Sequence, residues 1–362
     1  MREQDFKHSL LNFITMATAR PLSFTSFGVN FNESDNISIQ EAFEQANLNY
    51  KVLEQPLVRV PQNILDALVE GTPTIWQPTP NDIIRSHKAT LRDDYNRTLG
   101  IVGKDYGIVQ NSKAFEFIDF IEEIGGVRPI IVSAGALGYG ERMFVCAKIG
   151  SDIALNEGDN IENYVVFTNS HDGTGAVMCF FTPIRVVCRN TLNMAIKSCK
   201  NKVIFKHTKH IGKRLDWEIE ENRKKAFEVF SNSIKFTEEF ANEMQMLKEQ
   251  LVSEEYVKQF TAQIYLNSAQ MKLLEQANGN LDKVDEISTR AKNQINALHT
   301  AIESGVGQEY NRGTKVWLLN GLTTFLHNER TYKSAEDEFK SMIEGDALKK
   351  TQKAYDLLTK VA

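Results

Sequence analysis

The chain's most reactive-looking run is Asn169-Ser170-His171-Asp172-Gly173. Serine, histidine and aspartate together suggest nucleophilic hydrolysis, but the members of such a relay must converge from separate places in the fold. Adjacent residues of one turn cannot do so. Asp172-Gly173 lies between β-branched and aromatic runs, which predicts a hairpin turn. Asn169, His171 and Asp172 then become a polar loop able to contact a phosphate or a base. An enzyme reading would draw its site from His171, Asp172, Arg185 and Asn190, and no motif names a reaction for it.

Other chemistry-bearing patterns are weaker. Gly100-Ile101-Val102-Gly103-Lys104 lacks the phosphate-loop spacing and no Ser or Thr follows its lysine. Gly135-Ala136-Leu137-Gly138-Tyr139-Gly140 leads into a strand pattern and not a helix, so both glycine clusters read as turns. His207 and His210 are three apart, and the four cysteines, Cys146, Cys179, Cys188 and Cys199, contain no Cys-x2-Cys. No metal site and no cofactor is expected from these spacings. The paired carboxylates (Glu122-Glu123, Glu220-Glu221, Glu238-Glu239, Glu254-Glu255) all fall on charged helix faces, where solvation explains them.

The basic segment differs in kind. Residues 173–215 contain no acid and nine Lys/Arg, although the chain as a whole carries a net charge of −5. At average acid content, such a stretch would hold roughly five or six acids. The residues before it carry 14 Lys/Arg against 23 Asp/Glu, and those after it 19 against 24. Arg185, Arg189, Asn190, Lys197, Lys200, Lys202, Lys206 and Lys209 are the candidate phosphate-holding groups. A regular strand puts Arg185, Val187 and Arg189 on one face, and Asn190 or Thr191 capping a helix through Lys200 would offer its first N–H groups to an anion. Cations without internal acids suit a polyphosphate backbone. The same charge would also suit docking onto the acidic helices that follow, or an anionic membrane surface.

The elements around these residues define an α+β chain. The first hundred residues read as loops and short elements, with one persuasive helix at Ser38–Asn47, introduced by a Ser38/Glu41 capping box. Leu99–Val109 reads as a tight hairpin, and Asn111 or Ser112 opens a helix stopped by Gly125-Gly126. Pro129–Ala134, Met143–Ile149, Tyr164–Asn169 and Ala176–Cys188 are strands of an antiparallel sheet. From about Trp217 the apolar period becomes 3.6, predicting long helices over Asp216–Leu251 and Glu254–Leu274, a polar break at Ala277–Asp282, and further helix to the end. Two parts follow: 1–214, an α+β domain ending in the basic segment 173–214, and 215–362, an acidic helical domain or arm. The 42% hydrophobic and 25% charged composition fits a globular protein. No apolar run is long enough for a membrane span. The cysteines sit in or beside apolar runs as small hydrophobes, and a cytoplasmic location is expected.

Five segments together resemble phage- and plasmid-borne proteins that share a domain of unknown function. They are Ile39–Val60, Leu99–Phe117, Ala134–Lys148, Phe167–Asn193 and Gly313–His327. The most specific part runs from Ser170-His171-Asp172-Gly173 to Arg185-x-Val187-Cys188-x-Asn190-Thr191-Leu192. The resemblance implies a viral or mobile-element origin and no established activity. The sequence departs from that pattern at Pro21–Gly28, where a Trp-containing motif would stand. At the level of architecture, strands followed by a helix beside a basic groove resemble phage single-strand annealing proteins. The expected function is nucleic-acid binding, with single-stranded DNA as the partner and a role in annealing, replication or repair, in a chain that forms homo-oligomers through its helices. The alternative is a non-enzymatic structural or interaction protein.

Overall fold

The computed structural model describes residues 28–32, 37–126, 128–150, 153–156, 159–185, 190–191, 202–216, 218–305 and 308–360. In chain order the elements are β1 (Val29–Asn30), α1 (Ile39–Gln45), β2 (Val52–Val58), α2 (Gln62–Val69), β3 (Ile83–Arg92), β4 (Arg97–Gly103), α3 (Ser112–Gly125), β5 (Ile130–Leu137), β6 (Arg142–Lys148), β7 (Ile153–Asn156), β8 (Asp159–Ser170), β9 (Val177–Arg185), β10 (Asn190–Thr191) and β11 (Lys202–Phe205). The helices α4 (Ile211–Arg214), α5 (Glu220–Lys248), α6 (Glu254–Tyr265), α7 (Ser268–Gln276), α8 (Thr289–Ser304), α9 (Lys315–Thr324), α10 (Ala335–Ile343) and α11 (Asp346–Thr359) complete the chain. The protein is α+β: an antiparallel sheet region followed by helices.

The large sheet runs β1-β5-β6-β8-β9-β10, with β11 also on β9 and β7 on β8. Its strands are apolar at consecutive positions because both faces are buried, and the two-residue period sorts them. Met143, Val145, Ala147, Val165, Phe167, Val177, Cys179 and Phe181 face a core closed by α1, α3 and the start of α5. Phe144, Cys146, Tyr164, Val166, Met178 and Phe180 face the other way. They pack against Phe339, Met342 and Ile343 of α10 and Leu348 of α11. The C-terminal helices therefore return to cover the second face of the sheet.

The remaining helices surround α9. Every residue from Val316 to Thr324 is buried, as expected of a helix apolar on all sides. Its partners include Phe240, Leu247, Phe260, Ile264, Leu298, Ile302 and Leu358.

Several sequence expectations are corrected. The first hundred residues contain a second helix, α2, and a three-stranded sheet, β2-β3-β4. Leu99–Val109 is not a hairpin: β4 pairs with β3, Thr90 opposite Gly100 and His87 opposite Gly103. The turn lies earlier, at Asp93–Asn96, with Asn96 at φ 49°. Gly100 serves close packing instead, since a Cβ there would lie 2.5 Å from the Asp172 Cα. The helix expected over Glu254–Leu274 breaks at Leu266-Asn267, because Asn267 caps α7 with its side chain on the Gln270 N–H. Asn190 and Thr191 are extended and pair with Arg185 and Ile184 of β9. Residues 192–200, where a helix was expected, lie outside the described residues.

Candidate nucleic-acid interface

The loop 171–176 joins β8 to β9, as a hairpin should. His171 is fully buried. Its N–H donates to the Glu141 carbonyl at 2.6 Å and its carbonyl accepts from Thr90 Oγ1 at 2.6 Å. Asn111 Nδ2 donates to the Leu48 carbonyl, so Asn111 Oδ1 is the acceptor for His171 Nε2–H at 2.8 Å. Nδ1 is then the bare nitrogen, enclosed and without a partner. Burial drives the imidazole pKa down to about 3, because charging it would cost desolvation. It is neutral at physiological pH and exchanges no proton there.

Ser170 and Asp172 do not complete a relay. Ser170 Oγ donates to Asp172 Oδ1, which also accepts from the Thr174 N–H at 2.9 Å and its hydroxyl at 2.8 Å. Burial alone would raise the Asp172 carboxyl; the hydrogen bonds from Ser170 and Thr174 outweigh it and hold it below the usual range. Aspartate bonding its own backbone two residues on is the turn chemistry of this side chain. Asn169 is buried, and its Nδ2 donates to the Val109 carbonyl at 2.9 Å. The bonds of Asp172 thus close its own turn, while Asn169 and His171 tie the hairpin to the β4–α3 connection.

That connection carries the second wall of a surface groove. Tyr106 donates its hydroxyl to the Ser170 carbonyl at 2.6 Å and stacks on His207, ring centroids 4.4 Å apart and 11° from parallel. His207 Nδ1–H donates to the Gly107 carbonyl at 2.8 Å, leaving Nε2 without a partner. Burial lowers the His207 pKa, partly offset by the Gly107 hydrogen bond. Gly107 permits this contact, since any Cβ would collide with the Thr208 carbonyl.

The open groove, about 670 Å³, is lined by Ser86 and Gly103–Tyr106 on one side and His207–His210 on the other. Lys104, Lys209 and His210 line it, with Asp105 as its one acid. Arg85 and His87 flank Ser86 on β3, and Lys206 precedes His207; all three are exposed. Lys202 is half-buried on β11, opposite Phe180 of β9. Among the described residues, Arg85, Lys104, Lys202, Lys206, Lys209, Lys213 and Arg214 form no ion pair. The first-turn acids of α5 pair instead within their own helix, Glu220 with Lys224 and Glu221 with Lys225.

The structure therefore brings together Lys209 and His210 from the basic segment with Lys104 and Tyr106 from a hundred residues earlier. Lys104 and Tyr106 escaped the sequence reading because only long-range pairing places them here; the glycines around them were the available signal. Arg185 and Asn190 face each other across the β9–β10 pair, and nothing is described of their side chains. Arg189, Lys197 and Lys200 lie outside the described residues, as do Cys188 and Cys199. Cys146 and Cys179 are free and buried on opposite faces of the sheet. Among the described residues, no three metal-ligating side chains converge, and no helix is long and apolar enough to cross a membrane.

Fold and groove together define an α+β protein with a basic surface channel beside an antiparallel sheet. The chain belongs to the family described as Domain of unknown function (DUF932), whose model matches residues 98–344. That span runs from β4 to just past α10 and includes both the His171 loop and the Lys104 and Lys209 sides of the groove. No curated protein and no solved structure matches the chain.

Proposed function

We propose that this protein binds nucleic acid, single-stranded DNA foremost, in the cytoplasm of a cell carrying a phage or other mobile element. There it would assist strand annealing, replication or repair. The observation that carries the reading is the convergence of unpaired cations on one open groove. Lys104 and Lys209 come from two distant stretches and share the site with a single acid, Asp105, and the exposed Lys206 precedes the His207 wall. Protein that leaves such charges unneutralised attracts a phosphate backbone, with affinity that falls as salt displaces it. In the proposal Arg185, Arg189, Lys197 and Lys200 also contact phosphates; Arg185 ends β9, away from the Val177 end that faces the groove strand β11, and the other three lie outside the described residues.

The test is a gel shift with single- and double-stranded DNA over a salt series. Lys104→Glu/Lys209→Glu is expected to weaken binding to all sequences and to flatten the salt dependence. Arg185→Glu/Arg189→Glu is expected to act in the same direction. Absence of binding by the unmutated protein at about 50 mM salt, where phosphate contacts are strong, overturns the proposal.

One observation favours a second reading, a non-enzymatic structural or interaction protein that assembles with copies of itself. Helix α2 has no buried residue, and Leu65, Leu68, Val69 and the following Ile75 are exposed. A large nucleic-acid-free assembly in light scattering, dispersed by Leu68→Glu, would support it.

A further inference from the structure

Tyr50, Arg92 and Tyr95 form a column at the β3–β4 turn. Tyr50 is buried at its base, its hydroxyl donating to the Gly140 carbonyl at 3.0 Å. The Arg92 guanidinium lies 3.8 Å from the Tyr50 ring centroid and 4.7 Å from that of Tyr95. Its position is fixed by two hydrogen bonds to the Asp94 carboxylate, 2.6 and 2.9 Å, and by a third to the Tyr139 carbonyl at 2.9 Å. Arg92 is 6% exposed, whereas Tyr95 above it is 74% exposed. The column is thus rigid below and open at the top. Beside it, Arg97 lies 3.9 Å over the ring of Tyr139, itself 59% exposed.

A large, exposed ring set 4.7 Å from a buried arginine that is itself held by three hydrogen bonds is a surface prepared for another π system. Ordering a tyrosine on binding normally costs side-chain entropy; here the stack below restrains the ring beforehand. The neighbouring charges nearly cancel, Arg92 and Arg97 against Asp93, Asp94 and Glu141, so a phosphate gains little at this end. An uncharged planar group does. Strand β4 leads from Arg97 to Gly103 at the groove, six residue steps, or ~20 Å of extended backbone. It is also an edge of its three-stranded sheet.

We infer that Tyr95, backed by the Tyr50–Arg92 stack, is a stacking platform for an unpaired nucleobase of a strand whose phosphates lie in the Lys104/Lys209 groove. The inference rests on the proposed nucleic-acid function and deepens it. Bases in a duplex have their faces covered, so the platform selects single strands. Stacking on an aromatic ring tolerates any base, so the selection is for strandedness and not for sequence.

The test uses full-length protein and fluorescence anisotropy, with oligothymidylate and a deoxyribose-phosphate oligomer of equal length that lacks bases. The unmutated protein is expected to prefer the base-bearing strand. Tyr95→Ala should reduce that affinity on the order of tenfold, to the level of the abasic oligomer, with the salt slope unchanged. Tyr95→Trp should keep it. Equal binding of both oligomers by the unmutated protein, or unchanged binding by Tyr95→Ala, overturns the platform while leaving the phosphate groove standing. No salt-sensitive binding of either oligomer overturns the groove and the platform together.

Discussion

Asn111 Oδ1 accepts a hydrogen bond from His171 Nε2 at 2.8 Å, while the Asn111 amide nitrogen holds the Leu48 carbonyl at 3.0 Å. One side chain thereby joins the start of α3, the β8–β9 loop and the segment before β2. Both partners are buried away from water. Replacing Asn111 by Ala strands a buried donor and a buried acceptor. Each orphan costs about 1–3 kcal/mol, so Asn111→Ala should lower the urea midpoint clearly. Asn111→Asp keeps an acceptor for His171 but buries a carboxylate against the Leu48 carbonyl, a cost that exceeds that of an orphaned neutral group, so it should be no more stable than Asn111→Ala.

The same burial makes the protein acid-sensitive through histidine. His171 and His327 are pushed down to about 3 and about 4 by desolvation, against about 6.5 in an unfolded chain. Above pH 6.5 both are neutral in either state and contribute no pH dependence. As pH falls from 6.5 towards 4, the unfolded chain takes up protons that the folded one refuses. Stability therefore drops, by about 1.4 kcal/mol per pH unit per histidine well below the unfolded pKa. His327→Leu removes one such group, and the unfolding free energy between pH 6 and pH 4.5 should fall less steeply for it. Denaturant titrations at several pH values, with parallel slopes for the variant and the unmutated protein, would contradict this.

Gly100 is where the three-stranded sheet presses on the β8–β9 loop. An alanine Cβ would stand 2.5 Å from the Asp172 Cα and 2.9 Å from its carbonyl oxygen. Backbone cannot yield as a long side chain would, so strand and loop must separate. Gly100→Ala is expected to cost about 1–3 kcal/mol, as overpacking does, read as a lower melting temperature. Gly103→Ala is the control, since nothing lies within 4 Å of a Cβ there; it should melt close to the unmutated protein.

How far the sequence showed all this depends on which contacts wrote the pattern. Strands β5, β6, β8 and β9 were legible because they are buried on both faces, leaving runs such as Met143–Ala147 apolar throughout. Strand β2 was not: Glu54, Gln55 and Pro56 interrupt it, and most of it is exposed, so no alternation marks it. Strand β11 hid inside the basic segment for a similar reason: it is only four residues long, begins on Lys202 and is followed at once by Lys206. The Asp172-Gly173 turn was legible from its local chemistry. The groove was not, because its walls are joined by contacts such as His207 Nδ1 to the Gly107 carbonyl, which span a hundred residues. The break at Asn267 was written in the sequence, as a capping box with Gln270, but continuous 3.6-residue periodicity on both sides masked it.

The last expectation concerns the helix that covers the sheet. Phe339 of α10 is fully buried and packs at 5.5 Å, centroid to centroid, against Phe144. Truncating a buried phenylalanine costs about 3–5 kcal/mol. The loss is local to one face: Cys146 shares the Phe339 core, whereas Cys179 faces the opposite one with Phe117 and Phe167. Burial raises both thiols far above their ordinary pKa, so neither reacts until it is exposed. In Phe339→Ala, opening of α10 alone should suffice to expose Cys146, while Cys179 still needs the sheet to open. Alkylation followed by peptide mass spectrometry should therefore show Cys146 labelling accelerated more than Cys179 labelling. Equal acceleration of the two would mean that α10 and the sheet open together as one cooperative unit, and that the helix cannot leave the sheet by itself.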